Sequence, residues 1–175
     1  MPERLDRITI VDHDPTWAAS FEEQRLRLEA VLGDLLTDPI AHIGSTVVPG
    51  LAAKPIIDML AVTDDHADLA PVLPALAGIG WVHAPEPGDA ENRKRSLCHP
   101  DIARRTHHLH VVERRSDGWR EWLAFRDHLR ADGEARDAYA ALKRRLAAEN
   151  DRDRPRYRAG KAGFIRGARQ GHHPR

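Results

Sequence analysis

Cysteine is nearly absent: Cys98 is the one such residue among 175. No intramolecular disulfide can form, and the paired-cysteine motifs of zinc ribbons and dithiol redox centres are excluded. That usage fits a reducing compartment. Long apolar runs are missing as well. No stretch approaches the roughly 18 residues of a membrane helix, and the opening MPERLDRITIVDHDPTW lacks the apolar segment of a secretory signal. A soluble, cytoplasmic chain without a membrane partner is expected. Neither sign of charge is in excess, since 27 basic residues balance 27 acidic ones. A generic nucleic-acid binder carries a basic surplus, so bulk charge gives no strong nucleic-acid signal. The glycine fingerprints of dinucleotide folds and of P-loops are absent too.

What is present suits one packed domain. Hydrophobic residues make up 41% of the chain, enough for a core at this length. Residues 1–170 read as a single domain, and the polar 171–175 as a frayed, disordered tail. Ile8–Val11 reads as an edge strand. Asp14-Pro15 then opens a helix carrying Trp17, Phe21, Leu28, Val31, Leu32 and Leu35 at helical spacing. Short strands are predicted at Ile40–Ile43, at Pro55–Thr63, after Gly80 and at Arg95–His99, with another at Thr106–Glu113. A helix interrupted near Pro71 and Pro74 lies among them, and three helices follow. Strands first and helices later argue for an α+β fold with a mixed sheet and a C-terminal helical segment.

Three stretches carry chemistry. The first is PIIDMLAVT, a core strand holding one carboxylate. Side chains alternate along a strand, so Asp58, Leu60 and Val62 share a face. A carboxylate in such a run needs a partner or a metal. The second is Gly44-Ser45-Thr46, directly after a strand. It could open a short helix whose N–H groups and hydroxyls bind an anion, or it could be an ordinary turn. The third is THHLHVVE, which sets His108 and His110 on one strand face. Such a pair can hold a divalent ion or exchange protons. Lys54, Arg126 and Lys161 are candidate counter-charges for phosphate.

HIGSTVVPGLAAKPIIDML, RTHHLHVVE, WLAFRDHLR and YRAGKAGFI, in that order, resemble the GrpB family from about Ile8 to Arg166. The resemblance implies a nucleotidyltransferase-like fold with a mixed sheet flanked by helices. In that superfamily a Gly followed by Gly or Ser precedes a strand bearing two acids spaced by two, and a later strand supplies a third. Those acids hold two divalent metals. Here Gly44-Ser45 matches the first element and Asp58 the first acid. Position 60 is Leu, and the later strand offers His108 and His110. The resemblance therefore implies a protein that binds a nucleotide or other phosphorylated small molecule, with substrate contacts from Gly44, Ser45, Thr46, Lys54, Arg126 and Lys161. Asp58, His108 and His110 would be the catalytic candidates. One Mg²⁺, Mn²⁺ or Zn²⁺ would be held by Asp58 and His110 together with His42. The alternative is a catalytically degenerate nucleotide- or coenzyme-binding domain without transferase activity. Some family members are fused to dephospho-CoA kinase, an association that points to coenzyme A or nucleotide metabolism.

Overall fold

The computed structural model describes residues 7–170; the tail at 171–175 lies outside them. Helix α1 (Thr16–Leu32) starts where Asp14 accepts hydrogen bonds from the Thr16 backbone N–H and hydroxyl, at 2.8 and 2.7 Å. Strands β1 (Ala41–Ile43) and β2 (Ile57–Thr63) follow, then helix α2 (Leu73–Gly78). Strands β3 (Val82–His83), β4 (Lys94–His99) and β5 (His107–Glu113) complete the sheet. Helices α3 (Gly118–Ala131), α4 (Gly133–Glu149) and α5 (Arg154–Gln170) end the chain. Among the described residues no helix is long and apolar enough to cross a membrane.

The five strands run in the order β1-β2-β5-β4-β3. β2 and β5 pair in parallel and the other neighbours are antiparallel. This is a mixed sheet flanked by helices, an α+β fold. One face carries Ile57, Met59, Ala61, Leu109 and Val111, packed against Trp17, Phe21, Leu28 and Leu32 of α1 and Leu76 of α2. These buried side chains form the main core. Trp81, buried with them, donates its indole N–H to Gln24 at 3.1 Å. The opposite face carries Leu60, Val62 and Val112 beneath Trp119, Trp122 and Leu123 of α3. A third cluster joins α3 to α5 through Leu129, Tyr139, Phe164 and the Val48–Leu51 loop.

Two local expectations are corrected and one open reading is decided. Ile8–Val11 is not a strand of the sheet: Val11 makes an isolated bridge with Ala53, and Ile8 instead packs on Leu146 and Tyr157. The predicted helix after Thr63 is mostly a 3₁₀ segment, His66–Val72, with Pro71 inside it. Proline lacks the N–H that an α-helix interior requires, so α2 begins only at Leu73. The segment after β1 forms turns and no helix, with the Val48 N–H donating to the Ser45 carbonyl at 3.2 Å. Pro49 and Gly50 sit where a helix would have to continue.

Candidate active site

Strand pairing builds the site. The parallel register sets Asp58 beside His108 and Leu60 beside His110. Alternation then turns Asp58, His108 and His110 to the same side of the sheet. Asp58 Oδ1 lies 3.3 Å from His108 Nδ1 and 3.7 Å from His110 Nε2. Potential ligand atoms of all three side chains fall within 4.8 Å of one another. Burial would raise the Asp58 carboxyl, but the adjacent imidazoles of His108 and His110 outweigh it and hold the group well below the usual carboxylate range.

The loop after β1 closes one side. Ile43 pairs with Asp58, so Gly44 arrives directly over the carboxylate. Gly44 has φ +75°, and a Cβ there would stand 2.6 Å from Asp58 Oδ2. Only glycine provides both the left-handed backbone and the space. Ser45 Oγ accepts a hydrogen bond from Lys143 Nζ at 2.9 Å, and the same ammonium donates to the Ala52 carbonyl. Lys143 is thereby a strut between α4 and the loop. Burial, followed by the nearby Lys161, pushes its pKa down to about 7.

A cleft of about 340 Å³ opens above these residues. Five cationic side chains line it: Lys54, Arg126, Lys143, Arg158 and Lys161. Trp122, Phe125, Tyr139 and Tyr157 supply an aromatic wall. Lys161 and Lys54 stand over the Tyr157 ring, at 4.5 and 5.4 Å from its centre. Burial, then the charge of Lys54, lowers Lys161 to about 8. Arg126 donates to the His42 carbonyl at 3.1 Å and to Asp127 at 2.7 Å, which fixes it at the rim. Glu86 also faces the cleft, between Lys94, Arg105 and Arg158. Burial works to raise its carboxyl, yet the charges of His110, His108, Lys94 and Arg158 bring it below the ordinary value.

The structure thus brings Gly44, Ser45, Thr46, Lys54, Asp58, His108, His110, Arg126 and Lys161 to one cleft. His42 does not join the cluster at Asp58. In β1 it pairs with Met59, not Asp58, so it faces the main core. There it stacks on Phe21 at 4.6 Å between ring centres, and its Nε2 meets Thr46 Oγ1 at 2.9 Å. Burial pushes its pKa down to about 4, so it is neutral at ordinary pH. The Thr46 hydroxyl is engaged by the same contact and serves the loop. Lys143, Glu86, Arg158 and the aromatic wall are additions from the structure. Lys143 had one signal in the sequence: it lies four residues after Tyr139 and three before Leu146, on a buried stripe.

One carboxylate and two imidazoles fit a single divalent ion, three protein donors with further positions open to the cleft. Arg105 Nη1 lies 3.5 Å from His108 Nε2. A guanidinium only donates, so that contact leaves Nε2 the accepting nitrogen and turns Nδ1 toward Asp58. A second ion has no support at position 60, because Leu60 is buried among Ile43, Val62, Trp119 and Trp122.

The family model described as GrpB protein matches residues 7–170. A UPF0157 protein of Halalkalibacterium halodurans is 37% identical over 159 residues, covering 90% of this chain and 78% of its own. A dephospho-CoA kinase of Mycolicibacterium paratuberculosis is 28% identical over 183 residues; the match spans 92% of this chain and 45% of the kinase. The crystal structure of the conserved protein GrpB from Enterococcus faecalis superposes with a TM-score of 0.82 at 30% identity, over 93% of this chain and 96% of that one. An RNA terminal uridylyl transferase shares the fold at a TM-score of 0.52 and 14% identity, over 79% of this chain and 43% of its own.

Proposed function

The chain belongs to the GrpB family, and from that premise we propose that its cleft binds a nucleotide, or another phosphorylated small molecule, together with one divalent cation. The observation that carries this reading is the convergence of Asp58, His108 and His110 at the base of a cleft lined by five cations. A polyphosphate needs that charge, and a nucleobase needs the aromatic wall beside it.

Asp58 and His110, with His108, would hold the cation. Imidazole is a softer donor than carboxylate, so the set favours Mn²⁺ or Zn²⁺ over Mg²⁺. When bound, the cation would offset phosphate charge and polarise a phosphoryl centre. The chain's own residues do the rest. Lys54, Lys161 and Arg158 face the phosphates, and Arg126 guards the rim. Lys143 holds Ser45 and the loop in place, while Gly44 lets the backbone pass over Asp58. The kinship with part of a dephospho-CoA kinase supports a nucleotide or coenzyme as the ligand class.

Leu60 favours a second reading, a binding domain without transfer chemistry. The usual two-metal arrangement of the fold requires an acid where this side chain is buried in the core. Calorimetric titration of ATP and UTP separates the readings. Binding that strengthens at least tenfold with Mn²⁺, and loses that gain in Asp58→Asn, supports the cation-dependent site. Tight binding that ignores both Mn²⁺ and Asp58→Asn supports the binding domain. Absence of any nucleotide binding overturns both.

A further inference from the structure

We propose that a second phosphate subsite adjoins the cleft, in a side pocket of about 160 Å³ lined by Arg7, Lys54, Arg105 and Arg154. The inference rests on the cleft reading above and extends it to a second phosphoryl group.

Lys54 and Ile56 line both cavities, so the two are contiguous. No carboxylate lines the side pocket among the described residues. Its four cations are mostly guanidinium groups, whose planar forks match two phosphate oxygens at once. Arg105 is held in place from two sides. Its Nε donates to the Ile102 carbonyl at 3.1 Å, and Nη1 lies 3.8 Å from Glu86. The same Nη1 reaches His108 Nε2, so the side pocket abuts the cation site at its His108 end. Arg7 meets Asp151 at 3.5 Å, with 70% and 51% of the two side chains exposed. An exposed pair of that kind is weak, so an incoming dianion can recruit Arg7.

Size identifies the group. Whole small ligands occupy cavities of roughly 300 Å³ or more. The side pocket is about half as large, which suits a single phosphate monoester and not a second nucleotide. That monoester could belong to the nucleotide in the cleft or to a second substrate; both present the same dianion to the same guanidinium groups.

Two arms distinguish the sources. In the first, AMP and adenosine 3′,5′-bisphosphate are titrated calorimetrically against the full chain. If one molecule spans both cavities, the bisphosphate binds at least tenfold more tightly, and the advantage vanishes in Arg7→Ala/Arg154→Ala. In the second, inorganic phosphate is titrated with and without saturating ATP. If a second substrate brings the monoester, phosphate binds alongside ATP, and the double variant abolishes that binding. Thermal melting of the double variant verifies its fold. The inference is overturned if neither arm detects the extra phosphate, or if the double variant binds as tightly as the parent in both. Failure of the cleft reading looks different: nucleotide binding then ignores Asp58→Asn and Lys161→Met, whatever the side pocket does.

Discussion

Gly44→Ala is a single added methyl that tests whether loop and carboxylate form one unit. The backbone at Gly44 has φ +75°, and an L-residue held there costs about 1–2 kcal/mol. The new Cβ would stand 2.6 Å from Asp58 Oδ2, 3.2 Å from its Cβ and 3.3 Å from its Cγ. The carboxylate must swing away, leaving its rotamer at a cost of about 1 kcal/mol. Together these give about 2–3 kcal/mol, or roughly 4–12 °C in Tm for a chain of this size. Removing the carboxylate relieves the worst contact, so Gly44→Ala should cost about 1 kcal/mol less in an Asp58→Ala background. The assay is a double-mutant cycle by denaturant unfolding, with Mn²⁺ affinity measured on each folded variant. Equal losses in both backgrounds would refute the contact. So would Gly44→Ala retaining full Mn²⁺ affinity, because the displaced carboxylate could not then be a ligand.

Lys143 imposes a pH dependence. Burial lowers its pKa from 10.5 to about 7, so between those values the unfolded chain holds the extra proton. Stability therefore rises with pH across that window, by up to a few kcal/mol; unfolding from about pH 6.5 to 10 should show the rise, and Lys143→Met should reduce it, leaving the part that Lys161 contributes above about pH 8. Lys143→Met should also weaken triphosphate binding several-fold, since Ser45 loses its strut. His42→Ala should cost about 2–3 kcal/mol through lost packing and an unpartnered Thr46 hydroxyl, yet leave Mn²⁺ affinity within about twofold once stability is allowed for; His110→Ala should reverse that pattern, and titration of both variants decides. Leu60→Asp places a charge in a site 1% exposed, which should cost more than about 3 kcal/mol; thermal melting would show it, and a folded variant with two bound Mn²⁺ would contradict the placement of Leu60 in the core.

Alternation makes much of the site legible in the sequence. PIIDMLAVT and THHLHVVE each read as a strand with a polar member on one face, and the parallel pairing of β2 with β5 joins those members. His42 is misplaced by sequence alone because strand parity needs a register. The sequence places His42 and Asp58 in two neighbouring strands, but only the Ile43–Asp58 pairing reveals that His42 faces the other way. The Gly-Ser-Thr segment is open to two readings; the turn prevails because Pro49 and Gly50 follow. Lys143 is hidden by distance, standing 98 residues from Ser45, inside a run of basic residues that looks like a solvated helix face. The aromatic wall reads as core, and in part it is: Tyr139 packs on Phe125 and Phe164 while its edge lines the cleft. Leu60 stands out only against the resemblance, which implies an acid at that position. Its burial beside Trp119 and Trp122 shows an apolar side chain at home there.

Asp58, His108 and His110 are proposed to hold one divalent cation beside a phosphate-binding cleft. Anomalous diffraction from crystals grown with Mn²⁺ and a non-hydrolysable ATP analogue tests it most directly. One manganese peak is expected, at about 2.0–2.2 Å from a ligand atom of each of the three side chains, with the phosphates extending toward Lys54 and Lys161. A nucleotide bound in the cleft with no peak among these residues, or with two peaks there, would contradict it.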